Sequence, residues 1–166
     1  MDNIPYFRLI EQERGYGQIN IAAYLSGYAK DLAKKVLELR PSIIHAASNH
    51  INGLVVNAVA KHFDIPSIYE VRGLWEITRI SRQPSFEGSE YFQMMSNLEA
   101  SSAAEADFVF TITHALGEEI KRRSEGIKGI GFLPNGVHSN RFLPKSPNHE
   151  LKEELGIESD SIVLGY

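Results

Sequence analysis

The densest chemistry in this sequence lies in the run Tyr69-Glu70-Val71-Arg72-Gly73-Leu74-Trp75-Glu76-Ile77-Thr78-Arg79. It gathers two carboxylates, two guanidiniums and the only tryptophan of the chain around one glycine. A guanidinium grips phosphate or carboxylate in a bidentate fork, and an indole offers a flat face to a sugar or base. The competing reading is a surface ion-pair cluster with Trp75 packed against the rest of the fold. Elsewhere the polar groups are sparser: Ser48-Asn49-His50 and Thr113-His114 follow short apolar runs, where His50 and His114 can serve catalysis or helix capping alike. His45 stands inside such a run and reads as a satisfied core histidine. Glu99 and Glu105 read as a solvated helix face.

Several chemistries find no support. With no cysteine there is no disulfide framework, thiolate nucleophile or cysteine-bound zinc. No two histidines have metal-site spacing, so no metal is expected. Gly15-Tyr16-Gly17 lacks the third glycine of a dinucleotide fingerprint, and there is no P-loop or G-x-S-x-G elbow. The net charge of −4 gives no general attraction to nucleic acid.

The elements that must position these residues follow from periodicity. Ile21, Leu25, Tyr28, Leu32, Val36 and Leu39 form one face of a long helix from Ile19, stopped at Arg40-Pro41. A strand over Ser42–Ala47 precedes a helix capped by Asn49, whose expected face is Ile51, Leu54, Val55, Ala58, Val59 and His62. Ser67–Val71 is a strand, Arg72 to about Phe86 a long loop, and Tyr91, Met94, Met95, Leu98 and Ser102 mark another helix. Phe108–Ile112 is a strand, Thr113 caps a helix carrying Leu116 and Ile120, and Ile130–Leu133 is a last strand closed by Pro134-Asn135-Gly136. Strands alternating with helices predict a parallel α/β sheet, and near-continuous apolar strands predict helices on both faces, a doubly wound, Rossmann-like fold. Ligands of such sheets sit beyond the carboxyl ends of the strands. That rule brings Ser48, Asn49, His50, Arg72, Gly73, Leu74, Trp75, Glu76, Thr113 and His114 to one rim.

After Val137 the texture changes to a proline-containing polar stretch. A short helix with Ser146 as cap and Pro147 at its first position follows, ended by Gly156, and then a strand beginning at Ser161. The expected division is residues 1–137 and 138–166. The segment Met1 to Leu9 lacks the pattern of a signal peptide, and no apolar run is long enough to span a bilayer, so the expectation is a cytoplasmic protein.

Read in order, Pro41-Ser42-Ile43-Ile44-His45-Ala46, Ile65-Pro66-Ser67-Ile68-Tyr69-Glu70-Val71-Arg72-Gly73, Ala106-Asp107-Phe108-Val109-Phe110-Thr111-Ile112-Thr113 and Leu133-Pro134-Asn135-Gly136-Val137 resemble the N-terminal domain of group-one retaining glycosyltransferases of the GT-B fold. The likeness covers the chain from Pro5 onward. His138 replaces the aspartate usual after P-N-G-V, while Arg141-Phe142-Leu143-Pro144 keeps the distal Phe-Pro.

The resemblance implies an acceptor-side domain facing a donor-binding domain. The first strand with its glycine-rich loop and the donor domain with its acidic pair have no counterpart here, so a clipped chain, inactive alone, is expected. It further implies transfer from a nucleotide diphosphate sugar, the donor substrate, to a glycan, lipid-linked or small-molecule acceptor with retention, without other cofactor. Arg72 takes the place of a histidine that lines the reacting centre in many members, and is the catalytic candidate. Ser48, Asn49, Glu70, Gly73, Trp75, Glu76, Arg79, Thr113 and His114 are candidate acceptor contacts, and Asn135 and Gly136 candidates for the interdomain cleft. Expected partners are the acceptor, the missing domain, a membrane's inner face as peripheral site, and a second copy paired through the exposed strand edge. The alternatives are a non-catalytic α/β binding or regulatory module and half of a sugar-nucleotide epimerase. A receiver module would need an acidic cluster at its first strand, which is not found, and the P-N-G-V segment favours the transferase.

Overall fold

Short apolar runs bounded by proline and asparagine set the strands. In the computed structural model, which describes residues 4–8 and 20–164, they form a four-stranded parallel sheet. The Gly15-Tyr16-Gly17 run, Ile19, Gly165 and Tyr166 lie outside the described residues. Two compact units are present, Met1–Pro134 and Asn135–Tyr166.

In the first unit, α1 (Ile21–Leu39) starts at Asn20, whose side chain accepts from Ala22 N, and ends where Arg40 turns left-handed and returns its N–H to Val36 O at 2.8 Å. Then come β1 (Ile44–Ala47), α2 (His50–Phe63), β2 (Ser67–Val71), α3 (Trp75–Ile80), α4 (Glu90–Glu105), β3 (Phe108–Thr111), α5 (His114–Arg123) and β4 (Ile130–Phe132). The sheet order is β1-β2-β3-β4, all parallel, in register through Ala46↔Tyr69↔Val109↔Ile130. This is the α/β, Rossmann-like sheet that the alternation predicts.

That register row is the core. Ala46, Tyr69 and Val109 are buried against Val56 of α2, Ala103 of α4 and Ile120 of α5, so the crossover helices pack on this face. α1 packs on α2 through Val36, Val55 and Val59. α2 therefore buries two stripes, and its buried set is His50, Gly53, Val55, Val56, Asn57, Val59 and Ala60; Ala58 and His62, expected inside, are exposed. The approach of α2 to α4 and β2 needs glycine at position 53. A methyl group there would lie 2.8 Å from Ser102 Cβ and 3.0 Å from Tyr69 Cε2.

The opposite face carries His45, Ile68, Glu70, Phe108 and Phe110, by strand alternation. The Phe108 and Phe110 rings, 5.0 Å apart, lie across Gly131, where a side chain would come within 3.0 Å of both. Part of the cover that the apolar runs suggest thus comes from the strands' own rings. His45 is exposed, not a core histidine.

The expected loop after β2 contains the helix α3 and a 3-10 turn at Pro84–Phe86. Beyond Pro134, the second unit holds α6 (His149–Glu154). Its cap is Asn148, accepting from Leu151 N at 3.0 Å, instead of Ser146, because Asn148 Oδ1 reaches the free N–H three residues on. Ser161 to Leu164 form no strand. No helix among the described residues is long and apolar enough to cross a membrane.

Candidate functional site

All four strands point their carboxyl ends to the same rim, since the sheet is parallel. At its centre Ser48 joins the ends of β1 and β2. Its N–H donates to Glu70 O at 2.9 Å, its hydroxyl donates to the same carbonyl at 3.1 Å, and its Oγ accepts from Arg72 N at 2.7 Å. Ser48 thus fixes the backbone that presents Arg72. Asn49 is buried and caps α2, accepting from Ile51 N at 3.3 Å, so its side chain is likewise committed to the chain.

Alternation sends Glu70 to the face opposite the core. There its carboxylate is shared between His45 Nε2 at 3.0 Å and Arg72 Nε at 3.2 Å. The Arg72 side chain remains 56% exposed, free to present the rest of its fork to a ligand. Next to it, Gly73 has open space where a side chain would stand.

Under the rim lies a buried polar hub built on Glu99, a residue expected on a solvated face. Glu99 of α4 is fully buried. Its Oε1 accepts from His50 N at 2.9 Å and contacts His50 Nδ1 at 3.1 Å, and its Oε2 accepts from the Tyr69 hydroxyl. Burial, then the charge of Glu99, pushes the Tyr69 phenol well above its ordinary range. Ser102 Oγ donates to His50 O at 3.2 Å, and Asn57 Nδ2 donates to Ser102 O at 2.8 Å. The signal was present: Glu99 falls four residues after buried Met95, and three and four before buried Ser102 and Ala103, squarely on the inward stripe.

Glu76 also departs from expectation. Proposed from the sequence as an acceptor contact, it is fully buried and paired with Arg123 of α5, whose side chain is 6% exposed. Arg123 Nε in turn reaches Glu119 at 2.7 Å. Glu76 sits at the second position of α3 and turns inward because that is where a buried cation waits; its other oxygen, Oε2, is buried without a partner.

The remaining residues of the rich segment stand outside. Trp75 is 59% exposed, and between α3 and α4 it borders a pocket of about 300 Å³ lined also by Thr78, Arg79, Arg82, Tyr91 and Met95. The Arg79 guanidinium lies 4.2 Å from the Phe86 ring centre and 5.7 Å from that of Tyr91. Arg82 and Phe86 are not among the site residues expected from the sequence, and Tyr91 enters there only as a marker of a helix face.

Thr113 caps α5, accepting from Leu116 N at 3.1 Å, and His114 stacks on Phe132 with ring centres 4.3 Å apart. No hydrogen bond or ion pair among the described residues joins these two to Arg72 or Glu70. Asn135 and Gly136 belong to the second unit and are exposed. Among the described residues no group of histidines and carboxylates gathers as a metal site would.

The sequence matches the family described as Glycosyltransferase Family 4 across residues 13–141, which takes in every strand of the sheet and the whole rim. No curated protein sequence matches the chain. The chain belongs to Glycosyltransferase Family 4, and its parallel α/β unit is a glycosyltransferase domain.

Proposed function

We propose that this domain serves the acceptor side of a transfer in which a sugar passes from a nucleotide diphosphate sugar to a glycan, lipid-linked or small-molecule acceptor, with the anomeric configuration retained. The observation that carries the reading is Arg72: a half-exposed guanidinium at the carboxyl end of β2, its backbone fixed by Ser48 and its side chain steadied by Glu70. That is where an open parallel sheet receives its ligand. A cation held there stabilises the charge that develops as the diphosphate departs, or meets a phosphate of the acceptor. The second, facing domain of the family's architecture holds the donor, and no cofactor or metal beyond the donor substrate is invoked. In this reading the enzyme works in the cytoplasm, peripheral to the inner membrane face where its acceptor is lipid-linked.

The test is turnover of the full-length enzyme, this domain together with its donor-binding domain, with a panel of nucleotide diphosphate sugars and acceptors, followed by the anomeric coupling constant of the product. Arg72→Ala is expected to lower turnover by about 100-fold with the fold intact. Release of nucleotide diphosphate with inverted product, or near wild-type turnover by Arg72→Ala, overturns the assignment.

A further inference from the structure

The pocket between α3 and α4 holds two guanidiniums and no carboxylate. Three other arginines of this unit are neutralised: Arg72 by Glu70, Arg122 by Glu119, and Arg123 by Glu76 and Glu119. Arg79 has instead a neutral acceptor, Gln83 Oε1, at 3.3 Å from Nε and 3.2 Å from Nη2. Arg82 has no ion-pair partner among the described residues. Glu76, the acid nearest in sequence on the same helix, is turned into the core toward Arg123.

The cation is also held in place. Its stacking on Phe86 and Tyr91 fixes the plane of the Arg79 guanidinium, so little side-chain freedom remains to be lost when an anion arrives. Beside it Trp75 exposes 59% of its surface and Tyr91 48%. Side chains of this size usually bury most of their apolar surface, and such rings left open next to cations suit a ligand with one flat apolar face and one charged end.

We propose that this pocket binds a phosphorylated saccharide, the pyranose face on Trp75 and the phosphate between Arg79 and Arg82. A volume of about 300 Å³ matches one sugar ring with its phosphate. Two unpaired guanidiniums fit a dianion better than a neutral sugar. The role of this ligand as the acceptor rests on the function proposed above; its binding does not. The phosphate belongs either to a soluble sugar phosphate or to a lipid-linked one, and both present the same chemistry.

Trp75 is the only tryptophan, so its fluorescence reports this pocket alone. The wild-type protein is titrated, without donor, with a hexose phosphate, the free hexose, inorganic phosphate, bare phosphatidylcholine vesicles, and the same vesicles carrying a polyprenyl-phosphate-linked hexose; calorimetry runs in parallel. The expected result is a saturable response to a phosphorylated saccharide at concentrations at least about tenfold below those needed for free hexose or inorganic phosphate, weakened roughly tenfold by Arg79→Gln or Arg82→Gln. A response to the lipid-linked form but not to bare vesicles assigns the source to the membrane. Equal responses to hexose and hexose phosphate, a response to bare vesicles, unchanged binding by both arginine variants, or silence in both measurements overturns the proposal. Because no donor is present and no turnover is read, failure here leaves the transferase reading standing. Failure of the Arg72 test, conversely, leaves this pocket standing.

Discussion

The end of β2 feeds two regions that treat their charges in opposite ways. Beneath the rim, Glu99 is closely held: the His50 N–H and the Tyr69 hydroxyl donate to it, the His50 ring contacts it, and Glu76 is closed over Arg123. A few residues on, the shelf of α3 leaves Trp75, Arg79 and Arg82 without acidic partners and largely open. The buried region behaves as a floor. Its polar groups were desolvated on folding, so all but Asn57 Oδ1 and Glu76 Oε2 are paired, and removing one partner leaves another stranded in low dielectric. The shelf keeps its charges in water, where unpaired groups cost the fold little and remain available to a ligand. Stability and binding are therefore carried by different residues of one segment, with Glu76 and Trp75 adjacent in sequence and opposite in fate.

The sharpest way to break this contrast is to strand the most buried charge. Arg123→Ala leaves Glu76 without its cation and should lower unfolding free energy by about 3–5 kcal/mol. Urea denaturation reads this directly. A loss below about 1 kcal/mol would show that Glu76 finds water or a proton at little cost, and that the floor is not sealed. Glu99→Gln should follow at about 1–3 kcal/mol, because an amide cannot accept at both ends from the donors that now meet the carboxylate. Tyr69→Phe combined with Glu99→Gln in a double-mutant cycle should show coupling, since the two groups share one hydrogen bond. Additive losses would mean that the hub is not a unit.

How much of this could be read from the sequence depends on the range of the interaction that decides it. The strands were legible because each is a short apolar run with its own punctuation, and the caps Asn49 and Thr113 because capping acts within a few residues. α3 was not: its cap position is Leu74, which makes no side-chain hydrogen bond, so the usual start signal is missing. His45 looked buried because apolar neighbours surround it in sequence, whereas alternation turns it to the other face, toward Glu70. The placing of Ser48 and Arg72 at the rim followed from the strand-end rule alone. The fate of Glu76 did not, because its partner Arg123 lies 47 residues away and nothing local to α3 announces it. Glu99 lies between: its helical phase was readable, and only the habit of assigning glutamate to solvent hid it.

A smaller effect tests the border between floor and surface, at Glu119. Hydrogen bonding from Arg122 first, with Arg123 adding to it, holds the Glu119 carboxyl well down, to about 2 from its ordinary 4.5. A carboxylate depressed in the folded state contributes stability above its unfolded pKa, and that contribution is lost as pH falls from about 4.5 toward 2. Glu119→Gln should therefore melt below wild type at neutral pH, with the two melting curves converging below about pH 2. The Glu119 side chain is still 29% exposed, so solvent screening keeps the gap small and added salt should narrow it further. A gap that persists unchanged at low pH would place the effect in packing instead of charge.

The smallest expected effect completes the comparison from the shelf side. Trp75→Ala removes the largest side chain of the segment, and in a packed interior such a truncation costs about 3–5 kcal/mol. At a residue that is 59% exposed, most of that apolar surface never left water, so the loss should stay within about 0.5 kcal/mol. The measurement is the same urea series, run beside Arg123→Ala and followed by far-ultraviolet circular dichroism, since the substitution removes the intrinsic fluorophore. Binding of the phosphorylated saccharide, read by calorimetry, should fall at the same time. A destabilisation above about 2 kcal/mol would mean that the indole holds α3 against α4. The shelf would then be part of the floor, and the division of labour between Glu76 and Trp75 would not stand.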